Sequence, residues 1–391
     1  MKEIYRQIIC SDFVLDGDDL YFPVYGSDEL VKASISTGKS EVLCKFSKNP
    51  EKEYFNLYNS VEKIANNLVF APAGAEKIAL YNINNKEMSY IDLERFDIDG
   101  NEVYDDNSLF WKCIIDGEII YLLGFYYPSI VRIDMTRMNV SYIREWIKEV
   151  NQYIPSGDKR GYIGNGCFIQ GREVILPLMC APALLHLNLD SLTTYVEVLN
   201  TKMDGFGCMA CDEEFLYLQG KGDSIGKVCK YSIIKREVVV DEVLIEKLNR
   251  NDYTTAFSGT VLSGRKWLLF PQEANNLYEL NTDTMMTEIP SWASFMDEYK
   301  NSTDHWVLCA KLTGKKVIFV TNHDKSWHEY DLNSGEIRHF RVLLPVSYSE
   351  KSMEEKIKLN IRKNRILYEK DHDLSGFLRV IQMEPANNKG I

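Results

Sequence analysis

The chain has 391 residues, 45% of them hydrophobic and 12% aromatic, which is enough apolar material for one large core. Acidic residues (57) outnumber basic ones (45), and the formal net charge of −12 argues against nucleic acid or an anionic membrane as partner. No apolar run is long enough to span a bilayer, and nine cysteines at irregular spacing do not read as a disulfide framework.

Read from the N-terminus, Met1 to Asp12 is too short and too charged for a signal peptide, so a cytoplasmic location is expected. A short run near Phe13–Gly17 then turns at Gly17 into the apolar strand Leu20-Tyr21-Phe22, ended by Pro23. Next comes a phrase of different form: apolar Ile35, small polar Ser36, the turn Thr37-Gly38-Lys39 and a second alternating run. Both units return together down the chain. The apolar strands are Leu68-Val69-Phe70, Ile119-Ile120-Tyr121, Val174-Ile175-Leu176, Leu216-Tyr217-Leu218, Trp267-Leu268-Leu269 and Val317-Ile318-Phe319. Each follows turn residues, at Asn66-Asn67, Gly117, Gly171, Asp212-Glu213, Gly264 and Gly314. The small polar positions are Asn82, Asp134, Asn188, Ser232, Asn281 and Asp331. Pro72, Pro177 and Pro271 end further strands, where a missing N–H costs no ladder bond.

Two phased hairpins in each period of about 50 residues make four strands, and seven copies make a propeller. A lone four-stranded blade cannot bury both of its apolar faces, whereas stacking around an axis buries them. The expected fold is all-β, a seven-bladed β-propeller over residues 1–348 with a short C-terminal helical appendage over 349–391. Blade 1 begins with its own inner strand at Phe13–Gly17 and blade 7 ends with its own outer strand at Ile337–Leu344. Ring closure without strand exchange is therefore expected. The phrases from Ala33 to Lys39 and from His328 to Glu336 resemble the repeat of bacterial YVTN-type and related propellers, which centres on an apolar–Asp–x–x–Thr–Gly turn. That resemblance implies the fold and leaves the function open, because the superfamily mixes enzymes with binders.

Beyond the ring, Lys351 to Lys370 reads as an amphipathic helix and Asp373 to Ile381 as a second one, either a clasp on the ring or a docking element. Cys113 and Cys167 occupy one column and read as small buried hydrophobes. Cys208 and Cys211 form the only C-x-x-C, but three residues along a strand turns them to opposite faces, so no metal and no cofactor is expected.

Ligand contacts are expected on the face carrying the d–a and b–c loops, which are rich in aromatic and charged residues. The candidate ligand-binding residues are Trp146, Arg160, Trp292, His305, Trp306, His323, Asp324 and Trp327. A short helix is expected between Ser291 and Lys300. His323 with Asp324 or Asp304 is the pairing that reads as acid–base chemistry, with Trp327 beside it to stack on a sugar or aromatic ligand. No complete catalytic motif is present. The leading expectation is a non-catalytic module that binds a protein segment or a small polar ligand. The alternatives are an enzyme acting on a carbohydrate or lactone-like substrate at the channel mouth, and a structural subunit of a larger assembly.

Overall fold

A computed structural model describes residues 5–46, 57–94, 109–153, 161–245, 248, 256–272, 274, 276–299 and 307–345. The chain divides into a large unit, Gln7–Lys48 with Tyr54–Leu344, and a small one of Met1–Arg6, Asn49–Glu53 and Pro345–Ile391. Only Tyr5, Arg6 and Pro345 of the small unit lie among the described residues, and both expected tail helices fall outside them.

The large unit is a seven-bladed β-propeller. Its blades run Val14–Lys45, Tyr58–Asp92, Phe110–Ile143, Phe168–Val198, Phe206–Leu244, Phe257–Glu288 and Val307–Phe340. Each is a four-stranded antiparallel sheet whose strands, a to d, pair in the order they occur in sequence. Strand b is the apolar core of each blade; Leu68, Val69, Phe70 and Ala71 are all fully buried. Burial falls off toward strand d, as in Glu87–Asp92, where Glu87, Ser89, Tyr90 and Asp92 are exposed. Seven apolar clusters fill the seven seams, one between each pair of neighbouring blades. This is the burial that a single blade could not achieve.

The repeated small polar residue shapes the c–d turn. Its side chain accepts the N–H groups two and three residues on: Asn82 from Asn84 and Asn85 at 3.0 and 3.1 Å, Asp331 from Asn333 and Ser334 at 2.9 and 3.0 Å. Those N–H bonds also hold the Asp134 and Asp331 carboxyls below the usual carboxylate range. Four residues on, the backbone is left-handed in every blade, at Gly38, Lys86, Met138, Leu192, Arg236, Met285 and Gly335. In blade 1 the polar position is Ser34, not Ser36. Ser34 pairs with Asp19 as Asn82 pairs with Asn67, and its Oγ accepts the Thr37 N–H at 3.1 Å. Three hydroxyl residues within four positions, Ser34, Ser36 and Thr37, disguise the register. The a–b turn of blade 2 is likewise Ala65-Asn66, with Ala65 in the left-handed region at φ 49°.

The ring closes as expected, without strand exchange. The segment from Ile8 to Phe13 lies along blade 7: the Trp327 indole N–H donates to the Ile8 carbonyl at 3.0 Å, and Lys311 Nζ donates to the Phe13 carbonyl at 2.9 Å. The Ile8 N–H itself bonds to the Val342 carbonyl at 3.0 Å.

Candidate functional site

The a strands line the central channel, and a bulge near the start of five of them pushes one residue out of the ladder. In blade 3 that residue is Trp111. It is half-buried, and its ring stacks on the buried Phe125 at 4.5 Å and 25° between planes. Tyr126 meets Phe125 edge-on at 4.2 Å, and Lys221 Nζ lies 5.8 Å from the Phe125 centroid. Gly161 packs so closely that an added Cβ would sit 2.4 Å from the Phe125 ring, which pins that ring in place. The Trp111 indole N–H is shielded from solvent and has no acceptor among the described residues. An aromatic platform thus stands on the loop face, its ring half-open and its N–H turned inward.

Below it the channel holds charge. Lys311 Nζ reaches Asp12 Oδ1 at 2.8 Å and Glu62 Oε1 at 3.3 Å. Asp12 also accepts the N–H groups of Phe13 and Val61, both at 2.9 Å, and the Ser60 hydroxyl at 3.0 Å. Blades 7, 1 and 2 are therefore joined through one buried carboxylate. Burial raises the Glu62 carboxyl pKa, against the lowering influence of Lys311 and Lys112. Burial works against the charged Lys311 ammonium, but Asp12 and Glu62 together hold its pKa above the ordinary value. Burial raises the thiol pKa values of Cys113 and Cys208. Cys208 and Cys211 turn to different partners, Gln219 Oε1 at 3.5 Å and the Cys167 carbonyl at 3.6 Å.

A second polar cluster lies in blade 7. Thr321 Oγ1 donates to Asp324 Oδ1 at 2.6 Å and meets His328 Nε2 at 2.8 Å; His328 Nδ1 meets His339 Nδ1 at 2.7 Å. With the hydroxyl proton on Asp324, His328 donates from Nε2 and accepts from His339 at Nδ1. That directional chain runs from exposed His339 to Asp324. Burial depresses the His328 pKa to about 3, with Asp324 opposing and His339 adding to the shift. Burial alone would raise Asp324; hydrogen bonds from Thr321 and Ser326 hold it lower. Phe295, in a 3-10 helix spanning Ser291–Tyr299, stacks on His328 at 4.9 Å.

The residues singled out from sequence scatter. Trp146 lies in the helix Glu145–Asn151, is 1% exposed, and donates its indole N–H to the Ile143 carbonyl at 3.1 Å. Trp327 is fully buried between Phe13 and Phe22. Both indoles are core side chains in the blade seams and present no face to solvent. Trp292 is half-buried and stacks on Tyr330 at 4.0 Å. His323 is exposed, and Asp324 pairs through Thr321 with His328. Arg160, His305 and Trp306 fall outside the described residues.

Sequence reasoning missed Trp111, Glu62 and Lys311. The register supplies the signal for the last two: their column otherwise reads Val14, Ile114, Phe168, Ala210 and Val261, so a charge there is an anomaly.

No family model and no curated protein matches the chain. Among solved structures it is similar to a chain of the mitotic checkpoint complex, with TM-score 0.52, 9% identity, and coverage of 87% of this chain and 91% of that one. It is equally similar to BamB from Moraxella catarrhalis, with TM-score 0.51, 9% identity and the same coverage of 87% and 91%. The extracellular domain of the putative hybrid two-component system BT4673 from B. thetaiotaomicron gives TM-score 0.51 at 11% identity, over 82% of this chain but only 38% of that one. At such identities the likeness is one of fold.

Proposed function

We propose that this propeller is a cytoplasmic binding module whose loop-face channel mouth receives a protein segment or a small polar ligand. The observation that carries this reading is Trp111. Its half-open ring, stacked on Phe125, offers a partner an apolar face of fixed orientation. One of the similar structures belongs to a protein complex, the mitotic checkpoint complex, and a propeller is a scaffold on which such roles recur. The free state of all nine cysteines is in keeping with a reducing compartment.

The test compares immobilised wild type with Trp111→Ala, using native lysate for proteins and thermal shift for metabolites. A partner or metabolite held by wild type and lost from the variant supports the reading. Undiminished retention by the variant refutes it.

A second reading, turnover of a carbohydrate or lactone-like substrate in the same channel, is favoured by Glu62, whose raised pKa suits a proton donor. There Glu62→Gln would abolish turnover and leave binding intact.

A further inference from the structure

The opposite mouth of the channel, on the face of the a–b turns, is built differently. The a-strand residue paired with the second residue of strand b reads Leu15, Lys63, Ile115, Ile169, Cys211, Leu262 and Leu312. Six of the seven are apolar. The a strands follow one another around the axis, so this column forms a collar. Ile115, Ile169 and Leu312 are exposed by 38%, 47% and 48%, and the others are half-buried. Isolated exposed aliphatic residues need no explanation, but three or more at one repeat position around one opening do.

Charge surrounds the collar. The turns that follow carry Asp16 and Asp18 in blade 1, Asp116 and Glu118 in blade 3, and Asp212, Glu213 and Glu214 in blade 5. Cations in and beside these turns are mostly engaged already. Lys63 pairs with Asp16; Arg172 pairs with Asp116 and with Asp190, each at 2.8 Å; Arg265 pairs with Asp283 at 2.6 Å. Lys266 pairs with Glu279 at 2.7 Å and Lys316 with Glu329 at 2.8 Å, and Lys315 stands exposed in the turn of blade 7. Glu118, Glu213 and Glu214 have no cationic side chain within ion-pair distance among the described residues, and all three are exposed. The collar is thus an apolar ring edged by uncompensated carboxylates in blades 3 and 5.

We propose that this turn-face collar is a second docking site, and that its occupant is a peptide segment bearing aliphatic anchors flanked by Lys or Arg. The anchors take the places that Ile115, Ile169 and Leu312 leave open to water, and the flanking cations answer Glu118, Glu213 and Glu214. An acidic segment is repelled there, as is an anionic bilayer surface. The site is independent of the loop-face reading, because the two mouths lie at opposite ends of the a strands.

The probe is a dye-labelled peptide of alternating Lys and Leu, titrated into the full-length protein at physiological salt and followed by anisotropy, with a Glu/Leu peptide alongside. Wild type is expected to bind the Lys/Leu peptide and not the Glu/Leu one. The double variant Ile169→Ser/Leu312→Ser should weaken binding by about tenfold or more, since each lost anchor forfeits apolar burial. Glu213→Lys/Glu214→Lys should weaken it too. All four positions are exposed, and unchanged circular dichroism and melting would confirm that the variants fold. Trp111→Ala should bind the peptide as wild type does. No binding by wild type overturns the proposal. So does binding that survives Ile169→Ser/Leu312→Ser, which would mark general attraction to an acidic protein. Loss in Trp111→Ala with retention in the collar variants would move the peptide to the loop face and also overturn it.

Discussion

Replacing Lys311 with Met tests how much the channel network contributes to the closed ring. The methionine keeps the aliphatic bulk but removes the ammonium that sits 2.8 Å from Asp12 and 3.3 Å from Glu62. The groups left behind are unequal. Asp12, 9% exposed at its side chain, keeps three donors: the Phe13 and Val61 N–H groups and the Ser60 hydroxyl. Glu62 loses its cation, and the Phe13 carbonyl loses the donor at 2.9 Å. Breaking a buried pair from one side costs about 3–5 kcal/mol. The surviving bonds to Asp12 place this case near the lower end, at about 3 kcal/mol near neutral pH. Burial already raises the Glu62 pKa and losing Lys311 removes a lowering influence, so the orphaned carboxyl takes up a proton more readily as pH falls and the cost shrinks. Urea unfolding of wild type and Lys311→Met at pH 7.5 and pH 5.5 measures both quantities. A cost below about 1 kcal/mol at pH 7.5 would place the network among solvent-screened surface pairs. A cost that does not fall at pH 5.5 would refute the role given to Glu62.

Two further outcomes are expected. Ala65→Gly should stabilise the protein by about 1 kcal/mol, because Ala65 holds a left-handed backbone at φ 49° that only glycine adopts freely; a lower denaturation midpoint in the variant would refute this. The depressed pKa of His328 makes acid destabilising. Below the unfolded value near 6.5 the unfolded chain takes a proton that the folded chain, with its pKa of about 3, refuses. Stability should therefore fall by roughly 1 kcal/mol per pH unit from pH 6 to pH 4 on this account. His328→Gln should flatten that slope, and an equal slope in the variant would show that other groups set it.

The fold was legible because a blade repeats local chemistry: a turn, an alternating run, and a polar residue that caps its own backbone. Errors arose where local chemistry was degenerate, as in the hydroxyl run Ser34 to Thr37. The helix Glu145–Asn151 leaves little trace in the sequence; it is short, lacks a side-chain cap, and holds its place by burying Trp146, Ile147 and Val150. The site was far less legible. Aromatic residues in loops drew attention, yet Trp146 and Trp327 serve the seams, and no linear pattern separates a seam tryptophan from an exposed one. Trp111 stands out only once the bulge column is known. Glu62 and Lys311, some 249 residues apart in sequence, become neighbours only when the ring closes.

The strap from Ile8 to Phe13 also sets a timetable. Its residues leave the ribosome first, but their partners come last: the Trp327 bond to Ile8 spans 319 residues and the Lys311 bond to Phe13 spans 298. Joining ends that far apart in a flexible chain costs about 5 kcal/mol of loop entropy. Six blades already stacked shorten the distance the strap must search. The final seam is therefore a late event that the earlier blades prepare. Until it forms, the nascent ring stands open with the apolar sides of blades 1 and 7 unpartnered, and the protein passes its most aggregation-prone moment just before it is finished.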